Sequence, residues 1–379
     1  MAELLTNTTD LTKIASAIRE KGGTSDPLVY PSGFISAIQA IQTGTELQII
    51  VTVTSGATVT ATKGSLSVSG TSVNGTCTLT VPEEGEWTVS ATLGGETSDS
   101  NIVKVVSSYN TTLVFISVLN DNSWETIRGI SDTGIGANYW SIGDRKEVTL
   151  NGTVGHLTLS NYITYAFIIG FNHNSSLEGT NHIHFQLAKT ALSGGTDVCF
   201  CDNQYGPDSG WSAPGVGYFV MNASNTSSGG WKSSQMRTNI CGTSLSSYSG
   251  TIIAVIPEAL RAVLKSVTKY TDNTGSGSTA ASYVTATTDY FFLLSEYEVF
   301  GSIRCTNSNE LSKQVQYAYY SAGNSRIKYK HNGTSTAANW WLRSPLAGTS
   351  TGFVYVGTIP KATSGYAAYS LGFAPGFCV

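Results

Sequence analysis

The chain has 379 residues and a formal net charge of -4, with 40% hydrophobic but only 12% charged residues, against about 25% charged in typical domains. That length predicts two or three domains, and the lack of a basic stripe argues against nucleic acid or a polyanionic membrane surface as partner. No apolar run reaches the roughly 20 residues of a bilayer span, so no membrane insertion is expected.

Gly, Ser, Thr and Asn take the place of charge, a β- and loop-rich composition that meets water through hydroxyls and amides. The start, Met1-Ala2-Glu3-Leu4-Leu5, lacks the basic and apolar regions of a signal peptide. The six cysteines (Cys77, Cys199, Cys201, Cys241, Cys305, Cys378) form no CxxC pair. Cys199 and Cys201 alternate on an expected strand and share a face, which is not zinc spacing. They read as buried thiols rather than a disulfide framework.

Residues 1–44 read as a small helical unit. Thr9 or Asp10 can cap a helix whose Leu11, Ile14, Ala15 and Ile18 keep a helical rhythm. Gly22-Gly23 stops it. Leu28-Val29-Tyr30-Pro31 is an extended link, and Phe34, Ile35, Ile38 and Ile41 form a second stripe. Two such helices cannot bury a core alone, so they should pack on a neighbour or oligomerise.

From 45 to 108 the period changes to two: Leu47/Ile49/Val51/Val53, Val59/Ala61, Cys77/Leu79/Val81 and Trp87/Val89/Ala91 alternate. Turn clusters such as Ser55-Gly56, Asn74-Gly75 and Gly94-Gly95 separate these runs. Short strands at this spacing predict a small β-sandwich.

Residues 109–379 read as one large unit, opening with strand-like Leu113-Val114-Phe115-Ile116. Pro257 and Glu258 begin an expected helix with Leu260, Val263, Leu264 and Val267 on one face and Lys265 and Lys269 near its end. The Gly/Ser/Thr-rich stretch 271–282 reads as a flexible loop, and Phe291–Glu296 as a buried strand. The whole is an α+β multidomain chain.

The last forty residues are the most informative. Bulky anchors, Asn339-Trp340-Trp341-Leu342-Arg343-Ser344-Pro345 and Gly372-Phe373-Ala374-Pro375-Gly376-Phe377-Cys378-Val379, bracket a small, polar run. The anchors suit burial and the residues between them suit display.

Three resemblances join these readings. Asp10-Leu11-Thr12-x-Ile14-Ala15-x-Ala17-Ile18-Arg19-x-Lys21, followed by Tyr30-Pro31-x-Gly33-Phe34, resembles an N-terminal segment of siphophage tail and baseplate proteins. The 45–108 region looks like an immunoglobulin-like spacer module. Further on stand Asn138-Tyr139-Trp140-Ser141-Ile142-Gly143-Asp144, Gly229-Gly230-Trp231, Phe292-Leu293-Leu294-Ser295-Glu296, Trp340–Pro345 and Pro375–Val379. Together these resemble the C-type-lectin-like domains related to formylglycine-generating enzymes. Many relatives there are targets of diversity-generating retroelements, and phage examples are trimeric receptor-binding proteins at the tail tip.

The resemblance implies a phage tail-tip protein in the virion, and the absence of a signal-peptide pattern at the start points to exit by lysis or a dedicated machine rather than by general secretion. It would attach to tail or baseplate proteins through its N-terminus and bind a host surface protein or glycan as a homotrimer. It carries Trp340, Trp341, Leu342, Arg343, Pro345 and Phe377 over as scaffold. The displayed surface would be Leu346, Ala347, Thr349, Ser350, Thr351, Tyr355, Thr358, Ile359, Lys361, Thr363, Tyr366 and Tyr369, with Phe353, Val354, Val356, Ala362 and Ala368 facing inward. This displayed set is poorer in Asn than heavily diversified relatives. A bacterial surface adhesin with the same domain, or a glycan-processing enzyme, are the alternatives.

Several residues admit two readings. Trp340-Trp341 is an aromatic platform or core packing. Arg343 grips a ligand carboxylate or phosphate, or pairs internally with Glu296 or Glu298. His182 and His184 share a strand face, yet no third His or carboxylate stands at a telling spacing, so no metal or other cofactor is expected. Cys305 and Cys378 are the only later cysteines that resemble the copper pair of the related enzymes. No Gly-x-Ser-x-Gly occurs, and no enzyme activity is expected, although a carboxylate pair for glycan hydrolysis remains open.

Overall fold

In the N-terminal helix Thr8–Gly22, Ala15 and Ile18 turn inward and bury against Phe34. Ile14, one step round the helix, is left exposed, so the apolar stripe is narrower than its spacing implied. Thr9 and Asp10, expected to cap, lie inside the first turn. In this computed structural model the described residues are 8–22, 27–28, 32, 34, 37, 46–94, 96–106, 109–112 and 118–379. Ile35, Ile38, Ile41 and the strand expected at 113–116 lie outside the described residues. The chain divides into two units, Met1–Phe115 and Ile116–Val379.

The first unit continues with eight strands: β1 Gln48–Thr52, β2 Thr58–Lys63, β3 Leu66–Thr71, β4 Thr76–Thr80, β5 Gly85–Leu93, β6 Glu96–Thr97, β7 Asn101–Val105 and β8 Tyr109–Thr112. They form two sheets, β4-β1-β8 and β3-β2-β5-β6, with β7 also on β5. Alternate residues of both sheets close one core of Ile49, Val51, Val59, Ala61, Leu79, Trp87, Val89 and Val103. The period of two in the sequence is that alternation. Burying Trp87 leaves one polar atom to satisfy, and its indole N–H donates to Glu83 O at 3.1 Å.

The second unit is mixed α and β. Strands β9 Arg145–Val154, β10 Leu157–Phe171 and β11 Ile183–Lys189 lead into a five-stranded sheet of order β15-β21-β11-β10-β9. Its remaining members, β15 Phe291–Phe292 and β21 Gly376–Cys378, come from far along the chain. Because β21 lies between β11 and β15, Phe377 is sandwiched between Phe185 (centroids 5.3 Å) and Phe291 (5.2 Å). The helix Trp124–Thr133, capped by the Ser123 hydroxyl, sets Trp124 edge-on to Phe185. Two small strands, β12 Val198–Cys199 and β16 Lys328–Lys330, pair in parallel, and β17 Gly333–Ala338 joins β16. The ribbon β13 Val267–Asp272 with β14 Val284–Asp289 and the sheet β18 Trp340–Pro345, β19 Gly352–Val356 and β20 Ala362–Tyr366 complete it.

Three expectations need correcting. The helix begun at Pro257 spans only Glu258–Arg261, and Val267 opens β13. Arg261 turns back to cap its own neighbourhood, donating to Ile253 O and Ile256 O, while β-branched Val267 and Thr268 pair with β14. The stretch 271–282 is tied down: Asp272 Oδ1 accepts from Thr274 N and Gly275 N, and Gly275 O accepts from Ser227. The strand expected over Phe291–Glu296 ends at Phe292, because Ser295 and Glu298 form a capping box that starts the helix Glu296–Phe300.

Candidate functional site

Beneath the three-stranded sheet lies a buried ionic network. Arg343, on β18, is fully buried, and its guanidinium donates to both carboxylate oxygens of Glu298 at 2.5 and 2.9 Å. It also donates to Thr271 Oγ1 and Leu293 O. Of the two partners the sequence offered, Glu298 takes the arginine. Glu296 instead accepts the backbone N–H groups of Arg304, Cys305 and Thr306. Lys269, from β13, donates to Glu178 (2.7 Å), Glu298 (3.2 Å) and the Tyr317 hydroxyl (2.7 Å).

Electrostatics follow from this packing. Burial alone raises Glu298, but Arg343 and Lys269 outweigh it and hold the carboxyl well below its ordinary value. Glu178 goes the other way, raised by burial beyond what Lys269 offsets. His173 is pushed down to about 3 by burial and by Lys269, and His184 falls for the same two reasons. Tyr317 O accepts from Lys269, so its single proton is free for His184 Nδ1 at 3.1 Å.

Here the sequence reading missed a partner. The loop after β10 brings His173 to within 5.5 Å of the His184 ring, with Glu178 close by. Donor atoms of His173, Glu178 and Glu298 lie within 4.8 Å of one another. Yet the Lys269 ammonium already bonds both carboxylates, and Arg343 saturates Glu298, so two cations occupy the place a metal ion would need. The network is an internal brace. The cysteines of the copper-pair reading sit apart in chemistry, Cys305 N on Glu296 and Cys378 Sγ beside His184 Nδ1 at 3.3 Å.

Trp340, Trp341 and Phe377 are fully buried, and Pro345 is buried beside them in the chain. Each indole N–H finds a carbonyl, Arg326 O for Trp340 and Phe219 O for Trp341. They are core, and their faces are closed to a ligand.

None of the twelve expected surface residues is buried. Thr349, Ser350, Thr358, Ile359, Lys361 and Tyr366 are exposed, while Leu346, Ala347, Thr351, Tyr355, Thr363 and Tyr369 are half-buried. Of the expected inward set, Phe353, Val354, Val356 and Ala368 are buried, and Ala362 is half-buried.

The twelve do not form one patch. Thr358, Ile359 and Lys361 sit at the β19–β20 hairpin tip, closed by Gly357 N to Lys361 O. Tyr366 pairs with Gly352 at the other end, about 17 Å away at the usual strand rise. Strand alternation also separates the tyrosines. Tyr355 pairs with Thr363 and with Trp341, whereas Tyr366 lies on the opposite sheet face.

At the Tyr366 end several loops converge. Ala367 N donates to Thr351 O, Ser227 N to Ser350 O, and Ala368 N to Asn225 Oδ1 at 3.3 Å. The Tyr369 ring meets Tyr366 edge-on at 5.4 Å and Trp211 at 5.0 Å. Trp211 is 46% exposed and Tyr366 48%. The sequence reading overlooked Trp211. Its signal was there, a tryptophan alone in the loop Asp208-Ser209-Gly210-Trp211-Ser212-Ala213-Pro214-Gly215.

The chain from residue 218 to 379 matches the model of a family described as a domain of unknown function (DUF6273). No curated protein matches the chain. The matched stretch carries Lys269, Glu298, Arg343, Tyr366 and Tyr369, and is similar to that family over less than half of the chain.

Proposed function

We propose that the chain is a receptor-binding protein of a phage tail tip, attached through its N-terminal helix and holding a non-covalent recognition surface at its C-terminal end. The observation that carries this reading is the contrast within the last forty residues. Fully buried Trp340, Trp341, Arg343 and Phe377 frame exposed Thr349, Ser350 and Tyr366. A rigid frame holding adaptable hydroxyls and tyrosines is the chemistry of a paratope, where ordering cost is small and contact area large.

In this reading the two-sheet module is an immunoglobulin-like spacer and the second unit a C-type-lectin-like scaffold. Three copies around an axis would multiply weak single-site contacts by avidity. The resemblances of the N-terminal segment and of the Trp340–Pro345 block support it, as does the low charge of the rim.

The test is binding of purified full-length protein to cells of candidate gut bacteria, comparing wild type with Tyr366→Ala/Tyr369→Ala and with Tyr355→Ala. Binding lost in a still-folded Tyr366→Ala/Tyr369→Ala variant supports the reading. Cell binding that both variants leave intact would move recognition away from the C-terminal end.

A further inference from the structure

Resting on that reading, we propose that Trp211, Tyr369 and Tyr366 form a stacking subsite for an uncharged sugar of the target cell's surface. The three rings are a contiguous row with Tyr369 in the middle, in contact with Trp211 at 5.0 Å and with Tyr366 at 5.4 Å. The outer two keep about half their surface open. An indole left in water on a loop is unusual, since a tryptophan of this size is mostly buried in folded chains.

The rings are held in place. A side chain at Gly206 would bring its Cβ to 3.1 Å from the Trp211 ring, so the indole packs directly on bare backbone. That backbone is pinned, with Gly206 N donating to Ser370 O at 2.7 Å. Next to it, buried Tyr205 accepts from Asn339 N at 2.8 Å through its hydroxyl. Tyr369 N donates to Tyr366 O at 3.0 Å, fixing the turn that carries both tyrosines. A subsite ordered before binding loses little entropy on binding.

The chemistry around the rings chooses the ligand. Asn225, whose Oδ1 accepts from Ala368 N, and Thr351, whose carbonyl accepts from Ala367 N, flank the turn that carries the two tyrosines and bring an amide and a hydroxyl to it. Asp208, the acid of the Trp211 loop, is already paired with Lys330. Lys361 lies at the far end of the hairpin, as does Ile359, the most exposed apolar residue of the displayed set. A protein partner's hot spot would pair such aromatics with Arg and a wider apolar surround. A phosphorylated or acidic polymer would call for free cations. A neutral pyranose offers a C–H face for the rings and a hydroxyl edge for the amides and hydroxyls, matching what stands here.

The experiment uses full-length protein and cells in three states: untreated, oxidised with periodate to destroy sugar diols, and stripped of surface protein with protease. Wild type, Trp211→Ala, Tyr366→Ala and Trp211→Phe are compared, each first shown to melt with wild type. The expected result is wild-type binding that survives protease and disappears after periodate. Trp211→Ala and Tyr366→Ala should each weaken it at least tenfold, and Trp211→Phe should keep part of it. Binding that survives periodate but not protease identifies a protein partner, which overturns the sugar and leaves the proposed function standing. Wild-type affinity in Trp211→Ala overturns the subsite. Failure of wild type to bind any untreated cell overturns the proposed function and this inference together.

Discussion

Arg343 and Glu298 face each other with both guanidinium arms on both carboxylate oxygens, at 2.5 and 2.9 Å, and neither side chain touches solvent. A buried pair of this kind costs much to desolvate, so its removal is asymmetric. Arg343→Met leaves Glu298 charged beside Lys269 alone, and Glu298→Gln leaves Arg343 with no anion in direct contact. Each single change should cost about 3–5 kcal/mol, and the double change markedly less than the sum. Urea unfolding of the four proteins in the cycle measures this. Simple additivity would mean the pair is not the brace described.

How much of this was legible beforehand differs from residue to residue. The Trp340–Pro345 block announced a buried frame, because two adjacent indoles and an arginine need more burial than a loop can give. It even narrowed the arginine's partner to two acids. Lys269 was misread as the end of a helix, since Leu260, Val263, Leu264 and Val267 keep helical spacing. Tertiary pairing with β14 overrode that rhythm and drew the ammonium inside. The roles of His173 and Trp211 were missed for a common reason: periodicity describes one element at a time, and both matter through loops that meet only in the fold, although a lone tryptophan in a Gly/Ser/Pro loop was itself a signal.

A glycine test separates strain from collision. Gly275 has φ +56, and an added Cβ would lie 1.6 Å from Ser227 O. Gly250 has φ +76, with nothing within 4 Å of its added Cβ. Both alanine variants suffer the left-handed backbone cost of about 1–2 kcal/mol. Only Gly275→Ala must also push apart the 227–230 and 273–277 loops, so it should lower Tm clearly further than Gly250→Ala. Equal losses would mean that these loops yield freely.

Acid should loosen the second unit through its histidines. Burial lowers His173 to about 3 and lowers His184 too, so between the ordinary histidine range near 6.5 and about 3 the unfolded chain binds more protons. Stability from these groups is therefore full above about 6.5 and falls as pH drops through that window. Glu178 and Glu310, raised by burial (Glu310 to about 7), work in the opposite sense between about 4.5 and 7. The histidine contribution is isolated by comparing His173→Gln with wild type. The difference in Tm should shift in favour of the variant as pH falls from 7 to 4. A difference independent of pH would show that His173 titrates in the folded chain as it does in the unfolded one.

The frame and the rim should respond to substitution in opposite ways. Trp340 and Trp341 are fully buried, with both indole N–H groups bonded to carbonyls, so either change to alanine should cost about 3–5 kcal/mol. Thr349, Ser350 and Tyr366 are exposed, and single changes at exposed positions usually stay within about 0.5 kcal/mol. A library randomised at those three positions should therefore melt close to wild type while its members differ widely in cell binding, measured by calorimetry and by flow cytometry. If the library members lose stability as the tryptophan variants do, the rim is part of the core and cannot serve as a replaceable recognition surface.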